Sequence, residues 1–128
     1  MDKLAIYKMI LEIISQDNPQ DFQALLDDSR KYQSVKNFIA SDEPNLFLIQ
    51  DMQESVINMI EAGLISGQVN PMKYVTLITL NGLTAEGFQY LKKLREEETE
   101  KKIKAIIKSN NQALNAQTVT EALSSLIF

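Results

Sequence analysis

The stretch from Ile60 to Leu94, IEAGLISGQVNPMKYVTLITLNGLTAEGFQYLKKL, constrains the fold more than any other part of this chain. Gly63 falls where a helix would end in a left-handed residue. Leu64 to Val69 and Lys73 to Leu80 read as two strands joined by Asn70-Pro71-Met72, the second dense in β-branched and aromatic residues. Thr84 then offers a helix N-cap, with Leu83 and Phe88 at the positions of a hydrophobic staple. Helix, two-stranded ribbon and helix, in that order, form the wing half of a winged helix. Tyr74, Thr76, Ile78 and Leu80 share one face of the second strand, and Val75, Leu77 and Thr79 the other. Neither face is polar throughout, so part of the ribbon is expected to be covered.

The flanking segments read as helices. Residues 3–15 carry Ile6, Ile10 and Ile13 on one face, widened by Tyr7, Leu11 and Ile14, which suits a helix at the centre of the core. Asp17-Asn18-Pro19 ends it, and Asn18 and Pro19 are expected to cap and begin the next helix, with Phe22, Leu25 and Leu26 inward. A third helix, about Arg30 to Ala40, turns Tyr32, Val35, Phe38 and Ile39 inward. Leu46 to Ile49 fits a short strand or a buried connector, and periodicity does not choose between them. A helix is expected from Asp51 to Ala62, with Asp51 and Glu54 at capping-box spacing and Met52, Val56, Met59 and Ile60 inward. After Leu94 the run Arg95–Lys102 reads as solvated helix, with Glu97–Lys101, Glu98–Lys102 and Glu100–Lys104 as i,i+4 pairs. Thr118 and Glu121 have the spacing of a capping box for a last short helix.

The fold class expected is therefore α+β and mainly helical: a winged-helix domain over residues 1–94 and a helical extension over 95–128. Apolar content of 45% and charged content of 23% suit one globular unit of 128 residues. No apolar run approaches the roughly 20 residues that span a bilayer. The N-terminus, interrupted by Asp2, Lys8 and Glu12 and followed by no small-residue cleavage site, reads as an amphipathic helix, not a signal peptide.

The residues "EAGLISG", a β-rich segment and "LTAEGFQYLKKL" together resemble the YjcQ-like winged-helix proteins of bacteria and their phages. The matching residues are Gly63, Leu64, Ile65, Gly67, Leu83, Thr84, Gly87, Tyr90 and Leu91, and the match covers about a quarter of the chain. The resemblance implies a winged helix in an intracellular, prophage-type protein, and implies no activity. The stretch from Phe22 to Leu48 and the helices after Leu94 are longer than the pattern needs.

Side-chain chemistry narrows the function. The chain has neither histidine nor cysteine, so Ser-His-Asp and Cys-His catalysis and Cys/His zinc sites are excluded. Absence of cysteine fits a cytoplasmic location. Asp27 and Asp28 are adjacent, and neighbouring helix positions project about 100° apart, so they do not converge on one substrate atom. No glycine spacing matches a phosphate loop. A non-enzymatic protein without metal or cofactor is the expectation.

Winged helices commonly bind DNA, with one helix in the major groove and the wing on the backbone. In that reading Gln53, Ser55 and Asn58 on the helix and Lys73 in the wing contact DNA, Gln53 and Asn58 being suited to adenine edges. Charge opposes it. Residues 1–90 hold six Lys/Arg against twelve Asp/Glu, and residues 91–128 seven against five. Affinity for a duplex comes largely from neutralised phosphates, and this reading helix carries acids and no base. A regulatory or protein-interaction role is preferred, with a sequence-specific DNA-binding regulator as the alternative. Self-association is one form of it: Ile103, Ile106, Ile107, Leu123, Leu126, Ile127 and Phe128 are apolar positions of the extension that a homodimer would cover, unless they fold back within the chain.

Overall fold

The computed structural model describes residues 1–128. Seven helices and one antiparallel ribbon follow in the order α1 (Lys3–Asp17), α2 (Phe22–Ser29), α3 (Gln33–Ile39), α4 (Asn45–Glu61), β1 (Ile65–Pro71), β2 (Thr76–Leu83), α5 (Ala85–Arg95), α6 (Thr99–Ser109) and α7 (Ala116–Ile127). The class is α+β and mostly helical, as the sequence implies. No helix is long and apolar enough to cross a membrane.

Helix α1 is the hub. Leu4, Ile6, Tyr7, Met9, Ile10, Leu11, Ile13 and Ile14 are all buried, which takes in nearly every side of the helix. A helix with so broad an apolar face needs partners on most sides, and α2, α4, α5, α7 and β2 pack against this one, leaving the stripe through Lys8, Glu12 and Gln16 at the surface. One core runs from Leu4 to Leu123 and crosses residue 94 without a break. Ile103, Ile107, Ala116, Val119, Ala122 and Leu123 join the same core as α1.

The ribbon is built as its sequence suggests, three residues further along in the second strand. β1 and β2 pair antiparallel from Ile65↔Leu83 to Pro71↔Thr76, with a bulge at Ile65/Gly67. Ile78 and Leu80 face the core while Leu77 is half exposed. A contact that the polar run Asn18–Asp21 does not announce extends the sheet: the Leu80 amide donates to the Gln20 carbonyl at 2.8 Å, and Asp21 bridges to Thr79.

A clamp fixes the ribbon between α4 and α5. Helix α4 ends in a Schellman motif, in which the Leu64 amide donates to the Met59 carbonyl at 2.8 Å and the Gly63 amide to Ile60 at 3.1 Å. Gly63 takes φ +78°, as expected of it. Thr84 caps α5 by accepting from the Gly87 amide at 3.0 Å, and its hydroxyl lies 2.6 Å from the Gly63 carbonyl, to which it donates. The Thr84 amide donates to the Leu64 carbonyl at 3.0 Å. A Cβ on Gly87 would sit 2.0 Å from that same carbonyl oxygen, so only glycine lets α5 approach so closely. The Leu-Thr-x-x-Gly sequence thus has a local physical cause.

Four local expectations are corrected. Asn18 does not cap α2; it ends α1 in a left-handed conformation (φ 47°), and Asp21 caps α2 by accepting from the Ala24 amide at 2.8 Å. Helix α4 starts at Asn45, not Asp51, because Leu48, Met52, Val56 and Met59 form one continuous buried stripe, and Leu48 draws the ambiguous Leu46–Ile49 segment into the helix. The run after Leu94 is not one helix. It breaks over Glu96–Glu98, with Glu98 at φ 72°, so that Leu94 and Ile103 can both reach the core. Its charges pair otherwise than by i,i+4: Lys93–Glu96 at 2.9 Å, Lys101–Glu98 at 3.9 Å and Lys8–Glu100 at 3.8 Å. Finally, α7 is capped by Asn115, with Thr118 as the returning partner of the box. The earlier start lets Ala116 join Val119 and Leu123 in the core.

Candidate functional site

The outward face of α4 and the start of α7 line an open groove of about 680 Å³. It exists because α4 carries two different stripes. Met52, Val56 and Met59 point inward and are completely buried. One to two positions on from each, Gln53, Glu54, Ile57, Asn58 and Glu61 point outward, and the same face continues back through Gln50, Ile49 and Leu46. Ala116 and Gln117 of α7 form the opposite wall.

The structure separates the four residues expected to contact DNA. Gln53 lines the groove and is half-buried. Ser55 does not face outward; it is 5% exposed, on the core side beside Val56, which removes it from any nucleic-acid contact. Asn58 lines the groove, and its amide is already engaged. Its Oδ1 accepts from the Thr120 hydroxyl at 3.0 Å and its Nδ2 donates to Gln117 Oε1 at 2.7 Å. Lys73 lies between β1 and β2 at the tip of the ribbon, outside the groove, with its ammonium 5.3 Å from the centroid of the Tyr74 ring.

Asn58 belongs to a chain of polar groups that ties three helices together. The Tyr7 hydroxyl on α1 meets the Thr120 hydroxyl at 2.8 Å in the interior; Thr120 reaches Asn58 on α4, Asn58 reaches Gln117, and Gln117 donates to Glu121 at 2.9 Å. Burial pushes the Tyr7 phenol well above its ordinary value, against a smaller opposing effect of its bond to Thr120, so the neutral hydroxyl is the form that fits. No buried side-chain donor or acceptor is left without a partner. The chain fixes α7 against α4, and with it the width of the groove.

The apolar positions expected to form an oligomer face are mostly used within the chain. Ile103, Ile107 and Leu123 are core residues, at most 4% exposed, so that part of the expectation is corrected: folding-back, not a partner subunit, covers them. Ile106, Leu126 and Ile127 are partly buried against the same core. Of the seven only Phe128, at 76%, is open. The physical reason is the break at Glu96–Glu98, which turns α6 back onto the domain.

Charge and apolarity give the groove its character. Ten residues line it, Glu54 and Glu61 among them, and none is basic. Neither glutamate is in an ion pair, whereas Asp51 on the adjoining flank lies 4.0 Å from Lys3. Leu46 is 57% and Ile49 36% exposed, so apolar surface stands open along a helix face. A second apolar opening, at the tip of the ribbon, exposes Met72, Tyr74, Val75 and Leu77. Lys31, just before α3, is bonded to Asp17, which raises its ammonium.

Other clefts offer less. The cleft between α2, α3 and α4 holds about 210 Å³, below the roughly 300 Å³ at which small-molecule sites begin. The groups whose acidity is shifted sit outside the groove. Asp2, for instance, is raised by burial but more than offset by bonds from Lys104 and the Leu4 and Ala5 amides, and ends below its usual value. Asp2 and Lys104, 2.7 Å apart, fasten α6 to the start of α1. No three acidic side chains come together as a metal cluster would require.

The sequence pointed to α4 but not to the groove. Leu46, Ile49 and Gln117 were missed, although the period from Leu46 through Ile49 and Gln53 to Ile57 is a signal once α4 is extended to Asn45. No protein-family model matches this sequence, and no curated protein or solved structure is significantly similar to it.

Proposed function

We propose that this chain is a non-enzymatic protein-interaction module on a winged-helix scaffold of the YjcQ-like kind, regulatory in role and working in the cytoplasm of a bacterium or as a phage product. The scaffold reading is supported by the element order. A central α1, a short strand-like contact at Gln20–Asp21, helices up to α4, and the β1–β2 ribbon follow one another as in a winged helix. In that scheme α4 is the reading helix and the ribbon is the wing.

One observation carries the functional reading: the outward face of α4 lacks any cation and is walled by α7. A duplex carries one negative charge per ≈ 1.7 Å of its axis, and a protein gains affinity by neutralising several phosphates. Glu54 and Glu61 would face that charge unpaired. Asn58, the best-placed adenine reader, would first have to give up Thr120 and Gln117. At the ribbon Lys73 is the only cation, surrounded by exposed Met72, Tyr74 and Val75. Exposed apolar surface beside acids suits a protein partner better than a polyanion. Absence of histidine and cysteine supports a binding role over catalysis.

The test is fluorescence anisotropy of labelled random-sequence and native upstream duplexes against the full chain, between about 50 and 200 mM salt. No binding is expected at either salt. Steeply salt-dependent binding that disappears in Lys73→Glu would overturn the reading in favour of a DNA-binding regulator.

A further inference from the structure

Resting on that reading, we propose that the α4–α7 groove receives a cationic amphipathic helix from a partner protein. Its length suits such an occupant. From Leu46 to Glu61 the groove follows α4 for about 22 Å at 1.5 Å per residue, or some four helical turns. Helices that dock in grooves do so through apolar anchors at i, i+3/i+4 and i+7. Leu46, Ile49 and Ile57 provide matching apolar ground, and the uncharged amides of Gln50, Gln53 and Gln117 lie along it.

Charge selects the partner's other face. Glu54 and Glu61 stand on the groove with no cation of their own chain in reach, so lysines or arginines flanking an apolar stripe would find both acids free. The same charge disfavours two competing occupants. A symmetric pairing of α4 with α4 of a second copy would join two acidic faces and supply no cation to either glutamate. The chain's own cationic helix, α6, carries Lys101, Lys102, Lys104 and Lys108, but its apolar residues Ile103 and Ile107 are held in the core. It therefore cannot present both lysines and an apolar stripe to another molecule. An acidic amphipathic helix would gain the apolar contact and be repelled at the rim.

The probe is a designed, fluorescently labelled helical peptide of about five turns, with leucine at the anchor positions and lysine on the flanks, beside a counterpart in which glutamate replaces lysine. Anisotropy against the full chain should show the lysine peptide binding at least about tenfold more tightly than the glutamate peptide. Leu46→Ser, and separately the double change Glu54→Lys with Glu61→Lys, should each weaken it by about tenfold, close to 1.4 kcal/mol, with unchanged melting curves. A control with the same change in net charge, Glu86→Lys with Glu97→Lys, should keep most of the affinity. Equal weakening in the control overturns the proposal, because attraction to an acidic chain would then explain the binding. So does equal affinity for the glutamate peptide, or binding of neither peptide, and both of these leave the protein-interaction reading standing. Duplex binding in the anisotropy experiment above overturns that reading as well. Light scattering that shows a dimer dissociated by Leu46→Ser would replace the partner helix with a second copy.

Discussion

Both faces of α4 carry apolar residues, and those residues have opposite fates. On the inner face Met52, Val56 and Met59 are sealed against α1 and its neighbours, and Ser55 with them. On the outer face Leu46, Ile49 and Ile57 alternate with glutamine, asparagine and glutamate and remain at least partly open. The inner face is the kind of surface that folding must bury. The outer face is less buried, and in the proposed reading its open apolar residues, Leu46 and Ile49, are the ground a partner helix would contact. Between the faces lies Asn58, whose bonds to Thr120 and Gln117 hold α7 at the edge of the groove.

That contrast can be broken or sharpened by substitution, and the largest effect lies at the joint that aims both faces. Gly87→Ala sets a methyl 2.0 Å from a backbone oxygen. The clamp between α4 and α5 must open, and a loss of about 4 kcal/mol or more should appear as a collapsed or non-cooperative thermal melt. On the inner face, Met59→Ala should cost about 2–5 kcal/mol through lost burial and a residual cavity, measured by urea denaturation. A loss below about 1 kcal/mol would mean that the inner face is looser than its burial indicates.

Asn58→Ala tests the seam. Thr120 keeps Tyr7 as a partner, while Gln117 loses its bond across the groove, so a loss of about 1–2 kcal/mol is expected. The amides of α7's first turn should also exchange faster with solvent. Asp2→Asn keeps an N-cap residue on α1 and removes the charge that binds Lys104. Because the Asp2 carboxyl lies below its usual 3.8 in the folded chain, its contribution is present above that pH and is lost as the pH falls further. The variant should therefore melt slightly lower near neutrality, and the difference should vanish in strong acid. Peptide binding at α4 should not change. The smallest effect on stability belongs to the outer face: Leu46→Ser should stay within about 0.5 kcal/mol while weakening the peptide complex. If it destabilises the chain as Met59→Ala does, the two faces are not different in kind.

Much of the fold was legible because it rests on local chemistry. Gly63 as a left-handed helix end, Thr84 as a cap and the alternation of Ile78 and Leu80 with outward residues are short-range effects that sequence spacing encodes. The dense apolar pattern of α1 likewise announced a helix at the centre of the core. What the sequence concealed depends on distant partners. The start of α4 was obscured because Leu46–Ile49 is too short to reveal a period until Met52 and Val56 extend it. Asn18 suits both a left-handed helix end and an N-cap, and only the pairing of Gln20–Asp21 with β2 decides between them. The charged run after Leu94 has good helical pairs, yet the need to bury both Leu94 and Ile103 outweighs a few tenths of a kcal/mol per exposed pair. Of the candidate site, Gln53 and Asn58 could be read as outward, and the spacing of Ser55, three residues after Met52 and four before Met59, already placed it on the inner face, although its hydroxyl suggested otherwise. The α7 wall, 59 residues further along the chain at Gln117, left no local trace.

The most direct test of the central claim is a backbone-amide NMR titration of the full chain with the lysine peptide and, separately, with a random-sequence duplex. The peptide should shift amides of α4 from Leu46 to Glu61 together with Ala116 and Gln117, and leave Lys73 and the ribbon unmoved, while the duplex shifts none of them. Duplex-induced shifts on the α4 face and at Lys73, or peptide shifts confined to the ribbon tip or α6, would contradict the account.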